Sequence, residues 1–433
     1  MAMNLEVFIE LVSRPIGSNT GGDTDFICTQ VNLNPDDYDG ATYYFEINGY
    51  NDHATTAYEV HLVTGVTEKA TISVPANQTA ITRVRSAAFT PTAGNNVYFV
   101  RLDQTEGATD LRAYSARIVI IQVSATKTRV QIPLIAGSHF SVSSTAAEAY
   151  DTITGGTDYG QTTALVYARW LYESAKFATI AISNPFTFEA NIKINNSAGT
   201  VSASLFNVTD TTQVASSEVT HTGDVTATLV TADFASDANL SNGDEYEVKI
   251  KTSNAAYTAY IAGASLYIRL TSLTKAQIIQ RASFNASGTT AASMPNQRQL
   301  FTLSNFTSST EYFEVTAFCD ENIDSHTLKE DNGDDTGTAG ATVVSTINLN
   351  SATKIRKRSS AVVLEEAHRY FPASLATTAT NSTSSWWIVI DNVVVEKEVA
   401  GAVAGVTTAS GTLTGTWSLA GAIAAQSAIG HWD

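Results

Sequence analysis

Histidine and acidic side chains are the first candidates for chemistry in this chain. The histidines are His53, His61, His139, His221, His326, His368 and His431. None belongs to a His-x-x-x-His or Glu-flanked metal pair, and the sequence contains no Gly-x-Ser-x-Gly elbow, P-loop or Gly-x-Gly-x-x-Gly turn. Glu365 and Glu366 are adjacent, so on a strand they would point to opposite faces and could not flank one glycosidic bond. We therefore expect no enzymatic activity.

Two acidic loops are candidates for calcium binding, because calcium takes oxygen ligands. The candidate residues are Asp36, Asp37 and Asp39 in NPDDYDG, and Asp331, Asp334 and Asp335 in EDNGDDTG. Neither loop fits the twelve-residue helical calcium pattern. Turn formation by Asp, Asn and Gly explains both loops equally well. We expect no cofactor, with calcium as the alternative.

Clustered aromatic residues could form a platform for a sugar. The densest group is Tyr167, Trp170 and Tyr172, and a second pair is Trp386 and Trp387. The spacing of Tyr167 and Trp170 does not alternate cleanly, which favours core packing. Trp386 and Trp387 must lie on opposite faces of one strand, so at most one is free for a ligand. Glycan binding therefore remains an alternative.

The overall charge argues against nucleic acid as a partner. Lys and Arg number 25 against 42 Asp and Glu, a formal net charge of −17. Capture of a phosphate backbone needs clustered cations. The one basic cluster comprises Lys354, Arg356, Lys357 and Arg358, and its alternation with Ile355 predicts the solvent face of a strand.

Cellular context follows from a few absences in the sequence. The two cysteines, Cys28 and Cys319, are too few for a disulfide framework, and we expect both to be small buried apolar residues. The first residues do not resemble a secretory signal, and no run has the roughly 18 apolar residues of a membrane helix. We expect a soluble chain made in the cytoplasm, without a membrane partner.

A strand–turn–strand piece recurs three times and organises the chain. It occupies residues 43–62, 188–206 and 313–330, and each copy carries a Phe-Glu pair: Phe45-Glu46, Phe188-Glu189 and Phe313-Glu314. We interpret this piece as one hairpin repeated in three modules. The spacing of about 125 to 145 residues is too long for a solenoid and indicates tandem domains.

Short strand patterns every 10 to 15 residues, separated by Gly, Asn and Asp, predict the architecture. In the first module they fall at 5–12, 26–32, 43–48, 57–63, 70–74, 80–89, 96–102 and 113–123. Helix is scarce, with a turn or two expected at 146–150 and 364–370. The sequence predicts an all-β protein of three tandem β-sandwiches of jelly-roll or Greek-key type. The predicted domains are residues 1–124, 125–270 and 271–399.

The last stretch, residues 400–433, is dominated by Ala, Gly, Thr and Ser, and it cannot build a core by itself. One interpretation is a flexible end. The other is an extended arm that becomes ordered against a neighbouring subunit by adding a strand to an exposed edge. Trp417 and Trp432 favour an assembly arm, because an unanchored tail gains nothing from two indoles.

The tail also carries a resemblance. GVTTASGTLTGTWSLAGAIAAQSAIG is similar to the Gly-Thr-Leu-Thr and Ser-Leu-Ala-Gly units that close many tailed-bacteriophage structural proteins. Residues 82–122, with TRVRSAAF and YSARIVIIQ, resemble the β-sandwich modules of such virion proteins. The resemblance implies a virion setting and no catalytic residues.

We therefore expect a non-enzymatic structural protein of a tailed phage, a capsid decoration or fibre-like component located in the virion and assembled in the host cytoplasm. Its expected partners are copies of itself, with a trimer as one symmetry, and the major capsid protein or other virion proteins. Two alternatives are a glycan- or host-surface-binding β-sandwich protein and a bacterial surface-layer or filament subunit.

Overall fold

The computed structural model shows an almost purely β protein. It describes residues 5–393 except 14–15, 18–21, 105–110, 123–126, 136–150, 155–158, 160–167, 178–179, 182, 224–226, 235–239, 273–274, 287–291, 294–298, 301–304, 307–308, 320–323, 332–341, 367 and 377–381. Two short 3-10 helices, Pro35–Asp37 and Ser174–Lys176, accompany the strands of the described part.

The strands form three sandwiches in chain order. The first contains β1 (Leu5–Val12), β2 (Ile16–Gly17), β3 (Gly22–Leu33), β4 (Ala41–Asn51), β5 (Tyr58–Thr64), β6 (Thr67–Val74), β7 (Gln78–Arg85), β8 (Asn96–Gln104) and β9 (Leu111–Gln122). The second contains β10 (Thr128–Ile135), β11 (Asp151–Thr154), β12 (Trp170–Leu171), β13 (Phe186–Ile194), β14 (Thr200–Asn207), β15 (Thr212–Gln213), β16 (Val219–Thr222), β17 (Thr228–Phe234), β18 (Glu245–Thr252) and β19 (Thr258–Leu270). The third contains β20 (Lys275–Ala286), β21 (Ala292–Ser293), β22 (Gln299–Leu300), β23 (Ser309–Cys319), β24 (Asp324–Asp331), β25 (Thr342–Leu349), β26 (Ile355–Val362), β27 (Arg369–Ala376) and β28 (Ser382–Val393).

Each sandwich has the strand order of a jelly roll. We call the sheets β1-β9-β4-β7, β10-β19-β13-β17 and β20-β28-β23-β26 the inner sheets. Their partners, β3-β8-β5-β6, β12-β18-β14-β15 and β21-β27-β24-β25, are the outer sheets. All ladders are antiparallel, and the first strand of each sandwich lies beside its last strand. The predicted fold class is confirmed, whereas the predicted domain boundaries stay predictions.

The recurring strand–turn–strand piece is not a hairpin, so that interpretation was wrong. β4 lies in the first inner sheet and β5 in the first outer sheet, and the same separation holds for β13 and β14 and for β23 and β24. The chain therefore crosses the sandwich between the two strands. Alternating residues around a polar turn look the same in either arrangement, because side-chain alternation is local to a strand.

A glycine precedes one outer-sheet strand in each of the first two sandwiches, and the third sandwich has the equivalent strand without it. Gly94 and Gly243 adopt φ values of 76° and 90°, a conformation that suits glycine, just before β8 and β18. In the third sandwich β27 begins at Arg369 without such a glycine. The segment 364–370 contains one hydrogen-bonded turn, in which the His368 N–H donates to the Glu365 carbonyl at 3.3 Å, but no helix in its described part. The segment 146–150 lies outside the described residues.

The inner sheets meet at the centre of the molecule. β1, β10 and β20 are each in contact with the other two. Every residue of β1 and β10 is buried, on both faces of the strand. In the outer sheets, β6 and β25 instead carry exposed residues along one face. Within the described residues, no helix has the length and apolar character required to cross a membrane.

Candidate functional site

The three Phe-Glu pairs lie at equivalent positions in the inner sheets. The phenylalanine of each pair, Phe45, Phe188 or Phe313, is fully buried between the two sheets of its own sandwich. Its glutamate points to the other face of the sheet, because successive strand residues alternate. Even so, the glutamates are only 2–3% exposed. The outer face of each inner sheet is therefore covered, and the glutamates belong to the contacts between sandwiches.

Glu46 is surrounded by arginines. Arg117 Nε donates to Glu46 Oε1 at 2.7 Å, Arg85 Nε donates to Oε2 at 2.8 Å, and Arg83 adds a further contact. Burial alone would raise the pKa of Glu46, but the guanidinium groups of Arg117, Arg83 and Arg85 outweigh it and hold that pKa well below its usual range. Glu46 is therefore a charged anchor at neutral pH.

The third sandwich reaches the same region of the first. Arg85 Nη2 lies 3.0 Å from Glu6 Oε1, and Asn305 Nδ2 of the third sandwich donates to the other oxygen of Glu6. The arginine cluster of the first sandwich is thus linked to the third through Glu6.

Glu314 is held by a two-arginine clamp. Arg356 donates to both carboxylate oxygens of Glu314 at 2.6 Å, and Arg358 Nε donates at 2.8 Å. Bidentate guanidinium–carboxylate pairs are among the stronger hydrogen-bonded ion pairs. Both arginines also face the second sandwich, where Arg358 lies 3.1 Å from Glu173 and Arg356 lies 3.6 Å from Glu245.

The basic cluster does not form the solvent face of a strand, so that prediction was wrong for three of its four members. Lys354 Nζ lies 2.8 Å from Glu247 Oε2 in the second sandwich, and burial lowers the pKa of Lys354 to about 8. Arg356 and Arg358 are buried or half-buried in the clamp. Only Lys357 is exposed. Local alternation identified the polar face of β26 but could not reveal that another sandwich covers it.

Glu189 has a different environment. It accepts hydrogen bonds from the Asn32 backbone N–H at 3.2 Å, from Asn32 Nδ2 at 2.7 Å and from the Tyr267 hydroxyl at 3.3 Å. Arg129 stacks over the Tyr267 ring at 3.8 Å. Burial raises the pKa of Glu189, and the charge of Arg129 and the bonds from Asn32 do not fully offset it.

A small recess adjoins this carboxylate. Glu10, Cys28 and Ser265 are among its lining residues together with Glu189. Its volume is about 10 Å³, which suits about one water molecule. The buried state expected for Cys28 is confirmed, at 1% exposure, whereas the side chain of Cys319 lies outside the described residues.

The first calcium candidate loop contributes to the contact between the first and second sandwiches. Asp37 Oδ1 lies 3.3 Å from Arg269 Nε, and Asp37 Oδ2 lies 3.6 Å from Arg129 Nη1. Asp39 lies 3.7 Å from Lys127, while the Asp36 backbone N–H donates to Asn34 in a short helical turn. Calcium binding here stays a prediction.

Several other candidates fall outside the described residues. These are Asp334, Asp335, Trp417, Trp432 and Tyr167, and for Asp331 only the backbone, in β24, is described. The second calcium loop and the assembly arm therefore stay predictions.

The remaining aromatic candidates are buried. Trp170, Tyr172, Trp386 and Trp387 are at most 2% exposed, as core packing predicts. Trp387 lies opposite Glu314 in the ladder. It therefore lies on the face of the inner sheet that is turned away from the core of its own sandwich. Trp170 Nε1 donates to Gln277 Oε1 of the third sandwich at 3.0 Å. Trp170 thus links the second sandwich to the third, and none of these four described side chains is exposed enough for a sugar ring to stack on it.

In two groups of described residues, carboxylate oxygens and an imidazole nitrogen lie within 4.8 Å of one another, close enough to bind the same metal ion. They are Glu59, His61 and Asp103 in the first sandwich, and Glu330, Glu365 and His368 in the third. Sequence reasoning missed both, because in each group one carboxylate, Asp103 or Glu330, comes from a strand far along the chain from the other two members. In the second group His368 already contacts Glu330 and lies 3.5 Å from Glu365.

Comparisons with known proteins give distant structural similarity alone. No protein-family model and no curated protein sequence matches it. Among solved structures, it is similar to one described by a triple jelly roll fold and turret assembly in an archaeal virus, at 10% identity over 90% of each chain with a TM-score of 0.16. It is also similar to the infectious bursal disease virus VP2 subviral particle, at 8% identity over 90% of this chain and 80% of that one, with a TM-score of 0.21.

A third similar structure is the CBM22-1-CBM22-2 tandem domain of Paenibacillus barcinonensis Xyn10C, at 9% identity over 55% of this chain and 92% of that one, with a TM-score of 0.18. Superpositions this loose carry no argument about function.

Proposed function

We propose that the chain is a non-enzymatic structural protein of a virus particle, which acts by assembling with copies of itself and with other virion proteins. The observation that supports this most directly is the packing of three jelly rolls around β1, β10 and β20, so that every inner sheet is covered. One chain thereby forms a block resembling a trimer of sandwiches. Such a block presents its outer sheets and loops to its surroundings.

The use of charge in the molecule supports a structural role. Glu46 and Glu314 are neutralised by arginines at contacts between sandwiches. Catalytic acids need a substrate within reach, and these two are enclosed by protein. Because a buried carboxylate that loses its partner is strongly destabilising, such pairs also fix the arrangement of the sandwiches.

The finer assignment rests on the tail. Its resemblance to the closing units of tailed-bacteriophage proteins supports a capsid decoration or fibre-like component of such a phage. In this role residues 400–433 act as an arm that pairs with an exposed strand edge of a neighbouring copy, with Trp417 and Trp432 as apolar anchors.

Deletion of residues 400–433 tests this proposal. We expect the shortened protein to retain the β-sheet circular dichroism of the full chain but to elute as a monomer in light-scattering chromatography, while the full chain forms an oligomer. Trp417→Ala with Trp432→Ala in the full chain should weaken the oligomer without removing the arm. Assembly of the shortened protein identical to that of the full chain would refute the role of the arm.

A further inference from the structure

The solvent face of the first outer sheet carries three carboxylates in a row. In the ladders, Asp23 on β3 lies opposite Asp103 on β8, and Asp103 lies opposite Glu59 on β5. Like charges directly opposite each other destabilise an antiparallel pair. This row therefore favours a cation beside it.

The arginine beside this row is Arg101, which pairs with Asp23 at one end of the row and with two acids outside it. Arg101 Nε lies 2.6 Å from Asp25 Oδ1, and Arg101 Nη1 lies 3.5 Å from Asp23 and 3.4 Å from Glu68. Within the described part of the chain, no ion pair joins Arg101 to Asp103 or Glu59.

His61 adds a nitrogen ligand at the same place. It is two residues from Glu59 on β5, hence on the same face, and it is only 4% exposed. Its Nδ1 lies 2.9 Å from Thr71 Oγ1 and 3.4 Å from Glu68. With its proton on Nδ1, the ring leaves the lone pair of Nε2 free.

The free nitrogen faces the carboxylates. His61 Nε2 lies 3.7 Å from Glu59 Oε2 and has no hydrogen-bond partner among the residues that the structure describes. One ligand atom from each of Glu59, His61 and Asp103 lies within 4.8 Å of the others. A histidine whose second nitrogen is held by a neighbour is the usual form of a metal-binding imidazole.

We infer that Glu59, His61 and Asp103 bind one divalent transition-metal ion, with Asp23 as an additional carboxylate at its margin. One imidazole with two or three carboxylates suits Zn²⁺ or Mn²⁺. Ca²⁺ and Mg²⁺ prefer oxygen ligands alone. The ion links β5 to β8, neutralises the carboxylate row and stabilises the first sandwich.

Titration calorimetry of the full chain, stripped of metal with a chelator, tests the site with Zn²⁺, Mn²⁺ and Ca²⁺ chloride. We expect one Zn²⁺ or Mn²⁺ per chain, tighter than Ca²⁺, and a higher melting temperature with the metal. His61→Ala and Asp103→Asn should each weaken binding about tenfold or more. Thr71→Val should weaken it about tenfold by releasing the imidazole.

His221→Ala, which removes a histidine from β16 of the second sandwich, is the matched control and should leave binding unchanged. If a variant does not fold, as judged by circular dichroism, the comparison rests on Asp103→Asn, whose side chain keeps the original shape. The inference is overturned if neither Zn²⁺ nor Mn²⁺ binds. It is equally overturned if binding survives both His61→Ala and Asp103→Asn.

Discussion

The glutamates of the three Phe-Glu pairs have different partners. The residue opposite each on a neighbouring strand differs among Glu46, Glu189 and Glu314. The adjacent strand on one side places Arg85, Thr231 and Arg358, respectively, opposite these glutamates. This position therefore supplies a guanidinium group to the first and third glutamates but not to the second, which is left with the charge of Arg129. Glu189 depends on neutral donors instead, and its pKa is raised whereas that of Glu46 is lowered.

The two shifts have opposite consequences for pH dependence. The folded pKa of Glu46 lies below that of the unfolded chain, so its contribution is present above the ordinary carboxyl range and is lost as the pH falls towards the folded pKa. The folded pKa of Glu189 lies above that of the unfolded chain. Its contribution is therefore present below the ordinary carboxyl range and is lost as the pH rises through the folded pKa.

Replacing each glutamate by glutamine should therefore give opposite results at pH 7 to 8. Glu189→Gln is expected to raise the free energy of unfolding, because it removes a carboxylate that is costly to ionise, and the gain should vanish near pH 4. Glu46→Gln should lower that free energy by about 3–5 kcal/mol, because it removes the charged partner that Arg83, Arg85 and Arg117 share in a buried cluster. Urea unfolding at several pH values measures both, and destabilisation by Glu189→Gln at pH 8 would contradict the assignment.

At the scale of elements, the two short helices meet the next sandwich with opposite charges. Asp37 in the first helix pairs with Arg269 on β19, and Lys176 in the second pairs with Asp391 on β28 at 2.7 Å. Arg269 and Asp391 hold equivalent positions, one residue after Ile268 and Ile390. If the first sandwich packed against the third in this way, Asp37 would approach Asp391 and two negative charges would meet. The charges therefore favour one arrangement of the three sandwiches over the exchanged one.

A charge-reversal cycle tests this pairing. Lys176→Asp and Asp391→Lys should each lower the melting temperature, because each places like charges together in a half-buried contact. The double variant should recover part of the loss, with a coupling of about 1 kcal/mol. Strictly additive losses would show that the pair contributes no specificity.

At the scale of the whole molecule, the three sandwiches share buried surface and should lose structure together. Separation of the third from the second would expose Trp170 and break the ion pairs of Lys354 and Arg358. We expect one calorimetric transition, with a ratio of calorimetric to van't Hoff enthalpy near one. Three resolved transitions would mean that the contacts between sandwiches are weak.

Much of the fold could be predicted because strand patterns are local. The pattern at 5–12 coincides with β1, and the other seven predicted strands of the first module overlap β3 to β9. The candidate site was less predictable. The Phe-Glu pairs were visible as repeats, but the arginines around Glu46 come from β7 and β9, about 37 to 71 positions along the chain.

The sequence alone determined that the chain is all-β, that its strand pattern recurs three times, and that each copy places a phenylalanine beside a glutamate. Only the tertiary structure decided that β4 and β5 lie in different sheets and that the polar faces of the inner sheets are sealed. The physical reason is that alternation separates an apolar face from a polar one within a single strand. Whether a polar face meets water, as at Thr71 and Ser73 on β6, or another sandwich, as at Arg356, depends on packing between residues far apart in the chain.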